Sequence, residues 1–204
     1  TELVVSEPFI KKSEEIKNLE KETFNKIKSL ILETDAVLLA GSRPAIWSNE
    51  IYPKIAEFAI KNEKIFLADY IGQDLQETLK ITSPSIIKIN DQEFCSTFMT
   101  ENFEPENILF EQQLKNFVIQ KSVEFNNIIV ITRGTKSTFA AKSGTFIEIP
   151  IKKVNVVNTT ACGDSFNAGF LHEYLNSKDL AKSLKKGTWC AAKNAESEAP
   201  GSIN

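Results

Sequence analysis

Short apolar runs alternate with longer amphipathic stretches along this chain. Residues 36–40, 64–69, 85–89 and 127–132 are runs of five or six, rich in Ile, Val, Leu and Phe, each closing on a polar or glycine-bearing segment. Runs of that length and composition predict buried strands. A further short strand is expected over 3–6. Between them, apolar residues recur at helical spacing. Ile16, Leu19, Phe24, Ile27, Leu30 and Ile31 predict a long helix over 12–32. Helices are also expected over 49–61, 75–79, 112–125, 163–175 and 179–194. Residues 137–142 and 145–149 read as a hairpin around Ser143-Gly144, and the polar stretch 98–112, with Pro105, as an irregular excursion. Residues 147–157 alternate apolar and polar side chains and predict one more strand, leading into a turn of small residues, 160–163.

Strands alternating with crossover helices predict an α/β fold with a largely parallel sheet flanked by helices. Ligands of such sheets sit at the carboxyl ends of the strands. Gly41, Asp69, Asn90, Thr132 and Gly163 are all expected at strand ends, which points to one shared site. No internal repeat or linker composition divides the chain, so one domain over 1–204 is expected.

Composition narrows the picture further. A 204-residue chain that is 42% hydrophobic can bury a substantial core. Its net charge of −3, with both signs interspersed, gives no reason to expect nucleic acid or an anionic membrane as partner. Three cysteines, Cys95, Cys162 and Cys190, are widely spaced without a CxxC, which argues against a disulfide framework or a zinc site and suits a reducing cytoplasm. No export signal and no 18-residue apolar run is present. A start without Met leads us to expect a piece of a longer polypeptide.

The turn carries the chemistry. The small residues from Thr160 through Gly163 are expected to leave backbone N–H groups open at a helix start, an anion site, with Asp164 beside them. An acid next to an anion site suits phosphoryl transfer to a hydroxyl, with one group to take the proton and donors to hold developing charge. An ordinary first-turn acidic residue, favoured by the helix dipole, fits the same local pattern. His172 is the single histidine and falls two turns into the helix, where a surface or packing role is expected. No G-x-S-x-G and no G-x-G-x-x-G after a strand is present, which sets aside a serine hydrolase and a dinucleotide-binding oxidoreductase. Trp47 and Trp189 are expected in the core. Asp69 suits either a substrate contact or a turn cap. Arg43 is either a cation for an acidic substrate or a surface residue.

The segment Asn158-Thr-Thr-Ala-Cys-Gly-Asp-Ser-Phe-Asn-Ala-Gly169 resembles the C-terminal signature of the ribokinase family of carbohydrate kinases, also called the phosphofructokinase B family. Leu39-Ala-Gly-Ser-Arg-Pro44, Lys88-Ile-Asn-Asp-Gln-Glu93 and Ile131-Thr-Arg-Gly134 resemble three further family motifs, in the same order and at similar spacing. The resemblance covers nearly the whole chain. It implies a three-layer ribokinase-like fold and ATP-dependent phosphorylation of a sugar or sugar-phosphate hydroxyl. Asp164 would be the base, and the N–H groups of Ala161, Cys162 and Gly163 the anion hole. Asn90 and Glu93 would organise Mg²⁺ through water. Lys88, Thr132, Gly134 and Asn194 would bind the nucleotide, and Asn158 and Thr160 would border a monovalent-cation site for K⁺. A homodimer of the full-length protein is a further implication.

Departures from the pattern set more expectations. Ala161 stands where the family has glycine, so a left-handed turn there would be strained by about 1 kcal/mol. Ser137 replaces a glycine near the expected ribose contact. The family also carries an N-terminal sugar-binding half and a β lid, absent from these residues, with 1–8 resembling the return from the lid. The chain by itself is therefore expected to phosphorylate sugars weakly or not at all, with an exposed sheet edge. A non-catalytic nucleotide-binding remnant of the family is the alternative reading.

Overall fold

A computed structural model describes residues 14–99 and 108–203. The strand expected over 3–6 lies outside the described residues, as does 100–107 of the expected excursion. The elements run α1 (Glu14–Leu32), β1 (Ala36–Ala40), α2 (Ile51–Lys61), β2 (Ile65–Asp69), α3 (Gly72–Ile81), β3 (Ile86–Asn90), α4 (Asp91–Phe98), α5 (Ile108–Glu124), β4 (Ile128–Thr132), β5 (Thr138–Lys142), β6 (Thr145–Ile149), α6 (Cys162–Ser177) and α7 (Leu180–Ala195). Six strands form one sheet in the order β1-β2-β3-β4-β5-β6. The first four are parallel, and β5 and β6 add an antiparallel hairpin.

The two-residue period of the strands divides the core. Phe66, Ala68, Ile87, Ile89, Ile129 and Ile131 pack on the face covered by α1–α5. Leu67, Ile86, Ile128 and Val130 pack on the other, against Phe166 and Phe170 of α6 and Leu184 of α7. Three layers result, helices over both faces of a mostly parallel sheet. Continuing the alternation places Asp69, Lys88, Asn90 and Thr132 on the α6–α7 face, at the carboxyl ends of β2, β3 and β4. That step in register turns four separated residues into neighbours.

Three expectations are corrected. Residues 150–157 form no strand: Pro150 lacks the N–H a ladder needs, and the chain crosses toward α6 as irregular backbone. Its alternation has another cause, since Ile151, Val154 and Val156 line a cavity. Gly163 therefore follows a crossing segment rather than a strand end. Asn90-Asp91-Gln92-Glu93 opens a helix, α4, that periodicity did not reveal. Its start is a capping box, with Glu93 N donating to Asn90 Oδ1 at 2.8 Å and Asn90 N to Glu93 Oε2 at 2.7 Å. An Asn followed three residues later by Glu was a legible signal for this. Finally, α5 begins at Ile108, inside the expected excursion.

Of the tryptophans, Trp47 packs against the core as expected, whereas Trp189 is 46% exposed, with Lys186 Nζ 4.4 Å from its ring centroid. His172 is exposed, beside Asn176. Among the described residues, no helix is long and apolar enough to cross a membrane.

Candidate active site

The start of α6 carries no side-chain cap, in contrast to two other helix starts. α4 has its capping box, and α7 has Asp179, whose side chain accepts from Lys182 N. Ala161, at the N-cap of α6, has no side-chain oxygen to offer. Its φ of 60° and ψ of 16° are left-handed, as the turn's shape required. Cys162 N donates to Thr159 O at 3.3 Å, so one of the three expected anion-hole donors is already used. No hydrogen bond leaves the N–H of Ala161 or Gly163. Asp164, in the first turn, is exposed and makes no ion pair or side-chain hydrogen bond within the described structure. Replacing Ala161 by Gly removes the Cβ strain of the left-handed turn. The expected gain is about 1 kcal/mol, or a rise in the melting midpoint of about 2–4 °C for a chain of this size. Thermal unfolding followed by circular dichroism checks it, and an unchanged or lower midpoint refutes it.

The turn is held from behind. Asn194, wholly buried on α7, donates from Nδ2 to Thr160 O at 2.7 Å and to Cys162 Sγ at 3.3 Å, and its Oδ1 accepts from Gly201 N at 2.7 Å. Asn194 is thus a latch on the turn, and its amide is spent inside the protein rather than presented to a ligand. Val157 N and Asn158 N both donate to Ala195 O. Asn158 Oδ1 accepts from Thr160 N, and its Nδ2 donates to Glu198 O. A monovalent cation beside Asn158 and Thr160 would have to share the Thr160 carbonyl with Asn194.

Below the turn lies Lys88, only 5% exposed in a strand of isoleucines. Burying an ammonium is costly unless it is paired. Its partner is Asp69, with Nζ 3.1 Å from Oδ2, and Asn167 Nδ2 donates to the same oxygen at 2.6 Å. A Cβ added at Gly163 would stand 3.2 Å from Lys88 Nζ, so the cation sits directly beneath the open N–H groups. Asn90 pairs with Thr132 across β3 and β4, which brings the capping box of α4 level with the Thr132–Gly134 strand end. Gly134 has a φ of +58° and lines the cavity.

Arg133, between them, points away into a charged cluster. It bonds Glu111 at 2.7 Å, donates to Ser137 Oγ at 3.2 Å and stacks 4.2 Å from the Phe139 ring centroid. Ser137 donates in turn to Glu148, which also pairs with Lys115. Burial would raise the Glu148 carboxyl, but the Ser137 hydroxyl and the Lys115 ammonium outweigh it and hold the group below the usual carboxylate range. Ser137, the departure from glycine, is therefore tied into the hairpin. Arg43, half-buried, is bonded to Asp74 at 3.0 Å and to the carbonyl of Trp47, so it braces α3 and is not a free surface cation.

A cavity of about 790 Å³ opens beside the turn. One wall is the Thr132–Thr135 strand end, the second is Ile151–Val156, and the third is Cys162, Gly163 and Phe166 of α6 with Thr188, Ala191, Ala192 and Ala195 of α7. Small residues on α7 leave room for a flat group. Thr188 lines this space, and its hydroxyl is buried in the wall without a hydrogen-bond partner. Buried polar groups are ordinarily paired, so the Thr188 hydroxyl is an exception in the apolar end of the cavity wall, and the open N–H of Gly163 lies at the other end.

The profile of the pfkB family of carbohydrate kinases matches residues 8–204. The chain belongs to that family. It is 29% identical over 209 residues to tagatose-6-phosphate kinase of Staphylococcus epidermidis, an alignment that takes in 100% of this chain and 63% of that protein. Among solved structures, phosphofructokinase-2 of Escherichia coli in complex with potassium shares the fold with a TM-score of 0.74 at 16% identity, over 88% of this chain and 57% of that one. Ribokinase of Arabidopsis thaliana, complexed with ribose and ATP, has a TM-score of 0.68 at 19% identity, over 86% of this chain and 54% of that one. The pfkB chain described here thus spans under two thirds of the length of these relatives.

Two residues of this pfkB site escaped sequence reasoning. Asn167 falls in a variable position of its signature, and Thr188 lies midway along the last expected helix, where nothing local marks it. Only the fold brings the first against Asp69 at the sheet's carboxyl edge and places the second in the cavity wall.

Proposed function

We propose that this chain holds the nucleotide-binding part and the base of an ATP-dependent kinase acting on a sugar or sugar-phosphate hydroxyl. The observation that carries the reading is the arrangement of the cavity. An apolar slot, with the unpaired Thr188 hydroxyl buried in its wall, leads to Gly163, which has a buried lysine beneath it and two open N–H groups and an exposed carboxylate around it. A purine nucleotide offers the matching sequence of a flat base, then phosphates, then a reacting terminal phosphorus.

The fit extends to the chemistry. The base would lie along Ala191, Ala192 and Val154, with Thr188 Oγ1, brought out by rotation of its side chain, as the polar contact. Phosphates would lie between Gly134 and the start of α6. Asp164 would take the proton of the acceptor hydroxyl as its oxygen attacks the terminal phosphorus and the bond to the β-phosphate oxygen breaks. The N–H groups of Ala161 and Gly163, with the Lys88 ammonium, would stabilise the negative charge in transit. Mg²⁺, which neutralises phosphate charge when bound, would be held through water by the Glu93 carboxylate and the strand end at Asn90, since the ion keeps much of its hydration shell. The names of the similar proteins point to a sugar phosphate as acceptor. The three free thiols suit a cytoplasmic setting.

Titration calorimetry tests the reading. MgATP and adenosine should both bind the chain. Thr188→Val, which keeps the shape and removes the hydroxyl, should weaken both by about 10-fold or less, the value of one hydrogen bond. Inorganic tripolyphosphate should bind the variant and the parent alike. Failure of ATP, ADP and adenosine to bind at all would remove the reading.

A further inference from the structure

Asn167 is wholly buried on α6, one turn beyond Gly163, and faces the sheet. Its amide orientation is dictated by chemistry. Only the NH₂ side can face the Asp69 carboxylate, because an amide oxygen there would oppose a negative charge. The bond is short, 2.6 Å, and falls on Oδ2, the same oxygen that Lys88 reaches at 3.1 Å. Asn167 Oδ1 is left buried and without a partner. The residue thus forgoes one hydrogen bond in order to make the other. A leucine would fill the same volume without that loss, so packing alone does not explain an asparagine at this place.

The lysine explains it. A lysine stem has four rotatable bonds, and its ammonium acts as a point charge whose effect depends on where it is held. Asp69 stands at the last position of β2, its backbone held by Gly41 N but its carboxylate free to choose a rotamer. Clamped by Asn167, it offers one fixed oxygen, and the Lys88 ammonium settles beneath Gly163. Because Asn167 and Gly163 belong to the same helix, the clamp ties the cation to the very turn whose N–H groups are open. Any shift of α6 carries both together.

We propose that Asn167 is a positioning residue that, through Asp69, fixes the Lys88 ammonium under the anion turn at the start of α6. Its consequence for nucleotides rests on the function proposed above, while the clamp itself does not.

Two measurements separate them. Pulsed acetylation of the folded chain, read at Lys88 by mass spectrometry, reports how firmly the ammonium is held. Asn167→Leu should speed modification at Lys88 several-fold while other lysines keep their rates. Calorimetry should show MgATP and tripolyphosphate weakened about 10-fold, as for a lost charge-assisted hydrogen bond, with adenosine unchanged. A merely structural role would move adenosine and MgATP together. Asp69→Asn, which keeps the shape, provides the same readout should the leucine variant fail to fold. Unchanged Lys88 reactivity in a folded variant overturns the inference, as does an equal loss for adenosine and MgATP. Faster acetylation in a chain that binds no nucleotide supports the clamp and removes the proposed function instead.

Discussion

Asp164→Asn is expected to lower kcat for the proposed phosphoryl transfer by about 10²–10⁴-fold, the usual contribution of a general base in the role proposed for Asp164, and to leave MgATP affinity unchanged. Several features make this the largest effect expected on activity. The carboxylate is exposed in the first turn of α6 and is not drawn into any ion pair of the described structure. Its neighbours Ala161 and Gly163 present open N–H groups. Asparagine keeps the size and the hydrogen-bonding capacity but cannot take a proton, so binding survives and chemistry does not. The assay belongs in a length of protein that supports turnover with a sugar phosphate, since this chain spans 63% of its tagatose-6-phosphate kinase relative. A fall in kcat and in ATP affinity together would mean that Asp164 serves binding, and full activity would remove its role as base.

Gly169→Ala is expected to have the largest effect on stability. A Cβ there would lie 2.5 Å from Cys190 Sγ, 3.0 Å from Cys190 Cβ and 3.1 Å from Lys186 O. The thiol can rotate, but the backbone carbonyl of α7 cannot, so α6 and α7 must part. Alanine favours a helix over glycine by about 1 kcal/mol, whereas overpacking of this kind costs about 1–3 kcal/mol and sometimes more. At so close an approach the clash prevails. A net loss of about 2 kcal/mol should lower the melting midpoint by about 4–8 °C. Adding Cys190→Ala should restore part of it by removing the nearest atom. A midpoint at or above that of the parent would show that the two helices are less closely packed than described. Because α6 carries the turn and α7 carries its Asn194 latch, the same variant should also weaken nucleotide binding.

Strand runs of five or six apolar residues were legible because parallel strands are buried on both faces and need no polar partner in sequence. The same property hid the site. Ser85-Ile-Ile-Lys-Ile89 reads as a core strand with a lysine in it, and nothing local says that the lysine is paired with Asp69, nineteen residues earlier. Residues 150–157 misled for a related reason. Their alternation reflects an apolar wall facing a cavity, and a wall and a strand leave the same trace in one dimension. α4 was missed although its capping box was visible, because a helix of eight residues offers too few turns for periodicity to register.

The order of elements, the α/β class, the positive-φ turn at Ala161 and the carboxylate beside it are local properties. They depend on spacing, propensity and backbone sterics within a few residues, and the chain states them in its own order. The clamp of Asn167 on Asp69 and Lys88, the latch of Asn194 and the unpaired Thr188 hydroxyl are not of that kind. The clamp and the latch join residues up to ninety-eight positions apart, and the third depends on which way a helix face turns once it packs. Register across the sheet and the seating of α6 and α7 on it settle those contacts, because burial forces every polar group brought inside to find a partner or to wait for a ligand.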